Sequence, residues 1–407
     1  MRQLAPHSAD LALNPSADKS AEYSAAQSHI LNADGLATAK SIIGAWPGYQ
    51  PTPLIALPGL ASAAKVQSLL YKDEAHRFGL KSFKPLGGAF AVARMLIREL
   101  PPIVGAADVT IGDLLAGRYR QAAAGFTVTA ATDGNHGRSV AWGARMFGCR
   151  CVIFINEAVS KGREKAIATY GAEVRRNPGS YDDAVRVAQT TAAAEGWYVV
   201  ADTTDNITLD APRDVMQGYA VMAAETIDQL PYDDPPTHIF LQAGVGGMAA
   251  ATCGQFWQEF GIRRPTTILV EPVSSACWFA SLNAGHPVII EGDTDSLMGG
   301  LACGEVSRTA WEILASGADA MMTIVDAAAA DCMRLLANRP YGDPVIVAGE
   351  SGVAGLAGFL AACSDDEMRD VLGLNEDSRV VVFGTEGATD PETYAEIVGP
   401  AVEGLTP

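Results

Sequence analysis

The sequence predicts an α/β fold of mostly parallel sheets with helices on both faces. Three observations carry this. Short apolar runs recur as unbroken blocks, such as CVIFI at 151–155 and RVVVFG at 379–384. Glycine-rich turns follow most of them, and stretches with apolar residues at helical spacing come next. Strands covered on both faces read in this way, whereas a half-solvated antiparallel sheet alternates. Ligands of such sheets bind at the loops beyond the carboxyl ends of the strands.

Residues 1–46 read as an irregular, partly helical lead-in. PTPL at 51–54 starts an extended segment, because proline fixes φ and biases its neighbour away from helix. VQSLLYKDE at 66–74 is the first expected strand. From Gly87 the spacing of Val92, Met95, Leu96 and Leu100 is helical. Pro85 suits a first helical position, where its missing N–H is harmless, so the corner falls at Lys84. FTVTAAT (126–132) is a strand, DGNHG a tight loop and Arg138–Phe147 a helix. GREKAIATYGAEV (162–174) is a helix closed near Gly171 and followed by a strand. WYVVAD (197–202), HIFLQAG (238–244) and TTILVEP (266–272) are further short apolar strands.

The chain has 407 residues, 48% of them hydrophobic, which suffices for one large core or two coupled ones. A formal net charge of -18 argues against nucleic acid and anionic membrane surfaces, which need clustered Lys and Arg. No apolar run approaches the roughly 18 residues of a membrane span. The first residues lack a basic start and apolar stretch, so no signal peptide is expected. The seven cysteines form no zinc-like CxxC pairs, which fits a reducing cytoplasm with no metal site; Cys149 and Cys151 read as strand-start packing. All eight lysines lie at or before Lys165, so lysine-dependent covalent chemistry has few candidates.

Four loops beyond strands hold chemistry-bearing residues. AGVGGM, Ala243 to Met248, reads equally as a phosphate cradle at a helix N-terminus or as a tight strand–helix turn. Its spacing matches neither nucleotide fingerprint. In TDGNHGRS, Asn135 can donate to a ring oxygen, while His136 reads as a helix-start residue packed on the sheet rather than a base. Asp133 is an Asx-turn residue or a carboxyl with a raised pKa, and the turn is favoured on sequence alone. Thr385 in GTEGATDPETY sits at a strand end, as a rim residue or a helix-entry threonine. GESGVAG, Gly349 to Gly355, reads as a glycine-loosened helix start.

KDEAHRFGLKSFKPLGGAFA, ATDGNHGRSVAWGARMFG, SYDDAV, THIFLQAGVGGMAAA, VEPVSSACWFASL, GLACGEVSRTAWEIL, AGESGVAGLAG and FGTEGATDPETY occur in this order. Together they resemble the pyridoxal-phosphate enzymes of the tryptophan synthase β (fold type II) group. Within that group, RFGLKSFKPLGGAFA and TDGNHGR resemble the diaminopropionate ammonia-lyase branch. The likeness spans about Tyr49 to Tyr394.

The resemblance implies pyridoxal 5'-phosphate as cofactor and Lys84 as its Schiff-base lysine. Gly244, Val245, Gly246, Gly247 and Met248 would hold the phosphate through main-chain amides. Asn135 would meet the phenolic oxygen, Thr385 the pyridine nitrogen, and Phe83 the ring face. Asp133 and Asp202 would be the acid/base carboxyls. The segment after Asp202, TTDNITLDAPRD, departs from the expected pattern and leaves Asp205 and Asp210 as rivals. A Schiff-base lysine is expected among cationic or apolar neighbours that depress its pKa.

The implied reaction is β-elimination of 2,3-diaminopropionate to pyruvate and ammonia. The alternatives are a serine/threonine-type dehydratase on the same scaffold and a non-catalytic binding protein. Two units are expected, 1–87 with 201–407 as the large one and 88–200 as the small inserted one, with the cofactor between them. A cytoplasmic homodimer acting on a small amino acid completes the expectation.

Overall fold

The computed structural model describes residues 4, 7–132, 134–179, 181–203, 209–231 and 233–399. Its strands are β1 (Ala9–Leu13), β2 (Leu54–Ala56), β3 (Ser68–Asp73), β4 (Thr127–Ala131), β5 (Arg150–Ile155), β6 (Glu173–Arg176), β7 (Tyr198–Val199), β8 (His238–Gln242), β9 (Thr266–Pro272), β10 (Ala320–Ile324) and β11 (Arg379–Gly384). Seven form one sheet in the order β1-β10-β9-β8-β11-β3-β2, and four form another in the order β6-β5-β4-β7. The inner pairs of the large sheet and all pairs of the small one are parallel; β1 and β2 close the large sheet's edges antiparallel.

The apolar runs are buried along their length, as in β8 and β10, where every residue is covered. Two differences from the sequence reading stand out. The lead-in contains the edge strand β1 as well as helices Ala25–Ile30 and Ala33–Gly44, and WYVVAD contributes only two ladder residues. β10 was not expected at all. Its AMMTI run has few β-branched residues, and burial between β9 and β1 makes it a strand.

The sheet order positions the site. β3, β11 and β8 are neighbours, with Gly384 opposite Asp73 and Val382 opposite Phe240. Their carboxyl ends converge, although residue 73 and residue 384 are far apart in the chain. Beyond β3, the Pro85–Val104 helix packs against the Asn135–Phe147 and Asp210–Asp228 helices. A Cβ at Gly87 would lie 2.4 Å from the Tyr219 ring, and one at Gly88 would lie 2.0 Å from Ser139 Oγ. The two glycines after Lys84 therefore let this helix seat closely on both neighbours. Among the described residues no helix is long and apolar enough to cross a membrane.

Candidate active site

Lys84 stands at the start of the Pro85–Val104 helix, as the proline predicted. The segment before it is stitched to the end of β11: Phe83 N–H donates to Thr385 O at 3.0 Å, and Ser82 forms a bridge with Glu386. Lys84 Nζ lies 2.8 Å from Asp202 Oδ2, and 5.4 and 5.8 Å from the ring centres of Phe83 and Tyr219. These groups share a cleft of about 990 Å³, open solvent at its mouth included, with Asn135, Gly244 to Met248 and Thr385.

The charge state of this pair corrects one sequence expectation. Burial alone disfavours the Lys84 ammonium, but the Asp202 carboxylate outweighs it and the lysine is held above its ordinary range. Asp202 moves the opposite way. Burial opposes its ionisation, His136 and Lys84 pull against that, and the carboxyl ends well below its usual value. An amine ready to attack must first lose its proton, and the ion pair with Asp202 opposes that loss for as long as the two groups stay in contact.

The glycine loop is shaped as an anion cradle. Gly246 has φ +96° and precedes the Gly247–Phe260 helix without a side-chain cap, so the first N–H groups of that helix have no partner within it. A Cβ at Gly246 would sit 2.2 Å from the Trp278 ring, whose Nε1 donates to Gly244 O at 2.9 Å. Deeper in the cleft, Thr385 Oγ1 accepts from Gln242 Nε2 at 2.7 Å and keeps its own O–H to donate. A hydroxyl with its hydrogen free can donate to an acceptor such as an unprotonated ring nitrogen. The Tyr219 hydroxyl is buried without a hydrogen-bond partner, and burial raises its pKa, so it stays a neutral donor. A lysine, an amide-lined cradle and a lone hydroxyl at these stations fit pyridoxal phosphate.

His136 packs at its helix start with Nε2 paired to Val200 O at 2.7 Å, yet it also lines the cleft with Nδ1 3.7 Å from Asp202 Oδ2; burial lowers its pKa against the pull of Asp202. Asp133 and Asp205 lie outside the described residues. Asp210 lies at the exposed start of its helix, paired with Arg213, and does not line the cleft.

Sequence reasoning missed Glu386 in the cleft wall and the buried carboxylates Glu350 and Asp390 near it. Glu386 Oε2 accepts from Asn135 Nδ2, and its Oε1 accepts from Ser351 N at 3.0 Å. Beside it, Glu350 pairs with Arg163 at 2.6 Å; burial, then the Glu386 charge, pushes its carboxyl up to about 7. Asp390 accepts from Ser160 Oγ at 2.8 Å and lies 3.8 Å from Arg163. The glycines of GESGVAG were a signal in hindsight, since Cβ atoms at Gly349 and Gly352 would collide with Glu386.

Residues 45–386 match the family described as pyridoxal-phosphate dependent enzyme. The diaminopropionate ammonia-lyase of Escherichia coli strain K12 is 40% identical over 368 residues, 88% of this chain and 90% of that one. The chain belongs to the diaminopropionate ammonia-lyase family of pyridoxal-phosphate-dependent enzymes. Two solved structures of the Escherichia coli family member share its fold at 35% identity, each covering 97% of both chains. One is in complex with an aminoacrylate-PLP azomethine reaction intermediate (TM-score 0.85), the other with D-serine (TM-score 0.86). The two-sheet α/β architecture is accordingly the fold type II arrangement of this family.

Proposed function

We propose that the protein catalyses pyridoxal-phosphate-dependent β-elimination of 2,3-diaminopropionate, taking up one water and releasing pyruvate and two molecules of ammonia. The observation that carries this reading is the Lys84–Asp202 contact of 2.8 Å in a cleft walled by the glycine cradle. When bound, pyridoxal phosphate supplies an aldehyde that condenses with amines and a ring that accepts negative charge from the α-carbon. Lys84 Nζ holds the group covalently, and Gly244, Val245, Gly246, Gly247 and Met248 hold its phosphate. Asn135 would meet the phenolic oxygen, Thr385 the ring nitrogen and Phe83 the ring face.

Asp202 holds Lys84 as an ion pair and, once the incoming substrate amine frees the lysine, is assigned as the acid/base carboxyl for the substrate α-proton on its side. Asp133 is assigned the opposite side, which admits both D- and L-substrates. The departing 3-amine leaves as neutral ammonia, so a proton must reach that nitrogen from Lys84 or a carboxyl. Support for the diamine comes from the relative 40% identical to this chain, the diaminopropionate ammonia-lyase of Escherichia coli. We also infer units of 1–87 with 201–407 and of 88–200 closing on the substrate, in a cytoplasmic homodimer.

Ammonia and keto-acid release from D- and L-diaminopropionate, serine and threonine, run in parallel, tests the reading. Diaminopropionate should give two ammonia per pyruvate and exceed the hydroxy amino acids. A protein that stays colourless after reconstitution, or one faster on serine or threonine, overturns it. Asp202→Asn should keep the yellow colour and lose roughly 10²–10⁴-fold in turnover.

A further inference from the structure

We propose that Glu386 is a positioning residue that fixes the amide of Asn135 so that it presents a donor to the cofactor's ring oxygen, a role that rests on the cofactor reading above. Glu386 is 6% exposed, and three different segments hold it. Its Oε1 accepts from Ser351 N at 3.0 Å, and its Oε2 from Asn135 Nδ2 and, at 3.4 Å, Thr389 Oγ1. Its backbone carbonyl accepts from Gly349 N at 2.9 Å, and the residue bridges Ser82, two positions before Lys84. Cβ atoms at Gly349 and Gly352 would meet its side chain or backbone within 3.0 Å, so the GESGVAG segment is cut to its shape.

The chemistry follows from donor and acceptor inventories. An ionised carboxylate only accepts, so the Asn135 NH2 end, not its carbonyl, must face Glu386. One of the two amide hydrogens is then taken, and the second remains for the cleft that Asn135 lines. Without the carboxylate the amide can rotate and turn its carbonyl to the ring oxygen, where two acceptors would oppose each other. Glu386 also follows Thr385 directly, and the Ser82 bridge ties it to the lysine segment. One residue thus couples, by side chain and by backbone, the Asn135 loop of the small sheet to the lysine and threonine positions of the large one.

The test is a double-mutant cycle on the reconstituted full-length protein, read by the absorption maximum of bound pyridoxal phosphate and by its dissociation constant. Glu386→Gln can face Asn135 with either end, so the constant should rise about tenfold, the scale of one charge-assisted hydrogen bond, with a displaced absorption band. Asn135→Ala should do the same, and in its background Glu386→Gln should add little, because the carboxylate acts through that amide. Glu386→Asp, which keeps the charge with a shorter reach, should give a smaller change in the same direction. It completes the cycle if the glutamine variant does not fold. Unchanged band and affinity in these variants, or a full effect of the Glu386 change without Asn135, overturns the assignment alone. A wild-type chain that binds no pyridoxal phosphate overturns the cofactor reading and this inference with it.

Discussion

Lys72 and Lys84 are twelve residues apart, and both meet a carboxylate, yet their surroundings are opposite. Lys72 is fully buried in β3. Its Nζ has three oxygen partners, Thr52 O at 2.8 Å, Gln229 Oε1 at 2.9 Å and Glu225 Oε2 at 3.0 Å, which use all three ammonium donors. Arg77 lies beside it between Glu74 and Glu225, so two cations balance two carboxylates. Lys84 has one carboxylate, two aromatic rings and a cleft. The pKa directions run against simple expectation. Burial lowers Lys72, offset in part by Glu74 and Glu225, while Lys84 is raised. The direction of the pKa therefore does not separate the proposed roles of the two lysines; of the pair, Lys84 lines the cleft and Lys72 does not.

Lys84→Ala gives the sharpest break between the two. Turnover should fall on the order of 10⁴–10⁶-fold, as when a covalent nucleophile is removed, with loss of the yellow absorbance. The unfolding midpoint should move less than in the Lys72 variant. A yellow, active Lys84→Ala protein would erase the distinction.

Lys72→Ala should do the reverse. It leaves Glu74 and Glu225 with Arg77 alone, a buried carboxylate charge without balance, and costs about 3–5 kcal/mol. Urea unfolding should show an early midpoint, with colour and turnover retained below the transition. Loss of activity at unchanged stability would place Lys72 in the chemistry instead.

This contrast also explains what the sequence could reveal. The corner at Lys84 was legible because Pro85 marks a helix start, while the lysine's assignment to the cofactor came from the family resemblance. Lys72 and Lys84 could be told apart by position, but not by charge environment, because Glu225 and Asp202 reach them across more than a hundred residues. Glu386 was illegible for the same reason: Asn135 is 251 positions away, and an isolated glutamate ordinarily means a solvated face. Unbroken apolar runs exposed β5, β8, β9 and β11. β1 escaped because it is a half-exposed edge strand whose partner, β10, lies some three hundred residues on.

The buried Glu350, next to the cleft-lining Glu386, allows a pH test that the balanced Lys72 network should not show. Glu350 has a folded pKa of about 7, raised by burial and by Glu386, with Arg163 and Asp390 also facing it. A carboxyl raised above its unfolded value of about 4.3 binds more proton in the native state. Its contribution to stability is full at low pH and is lost as pH rises through about 7. Wild type should therefore lose up to roughly 3 kcal/mol relative to Glu350→Gln between pH 5 and 8. Parallel denaturation curves at the two pH values check this, and a constant difference would mean that Arg163 fully compensates Glu350.

The smallest expected effect concerns Lys81, the other lysine of FGLKSFK. Its backbone is left-handed at φ +57°, its carbonyl accepts from Gly387 N at 2.9 Å, and its side chain does not line the cleft. Burial and the nearby Arg138 lower its pKa, so a pKa criterion alone would have chosen it over Lys84. Lys81→Gly relieves the left-handed conformation, worth roughly 1 kcal/mol, against the greater freedom glycine gives the unfolded chain. The net change should be a stabilisation below about 1 kcal/mol, with colour retained and turnover within about twofold. Loss of colour in this variant, with Lys84 intact, would show that the lysine with the lowered pKa holds the cofactor. A place in the cleft lining would then fail to mark the cofactor lysine, even for two lysines three residues apart.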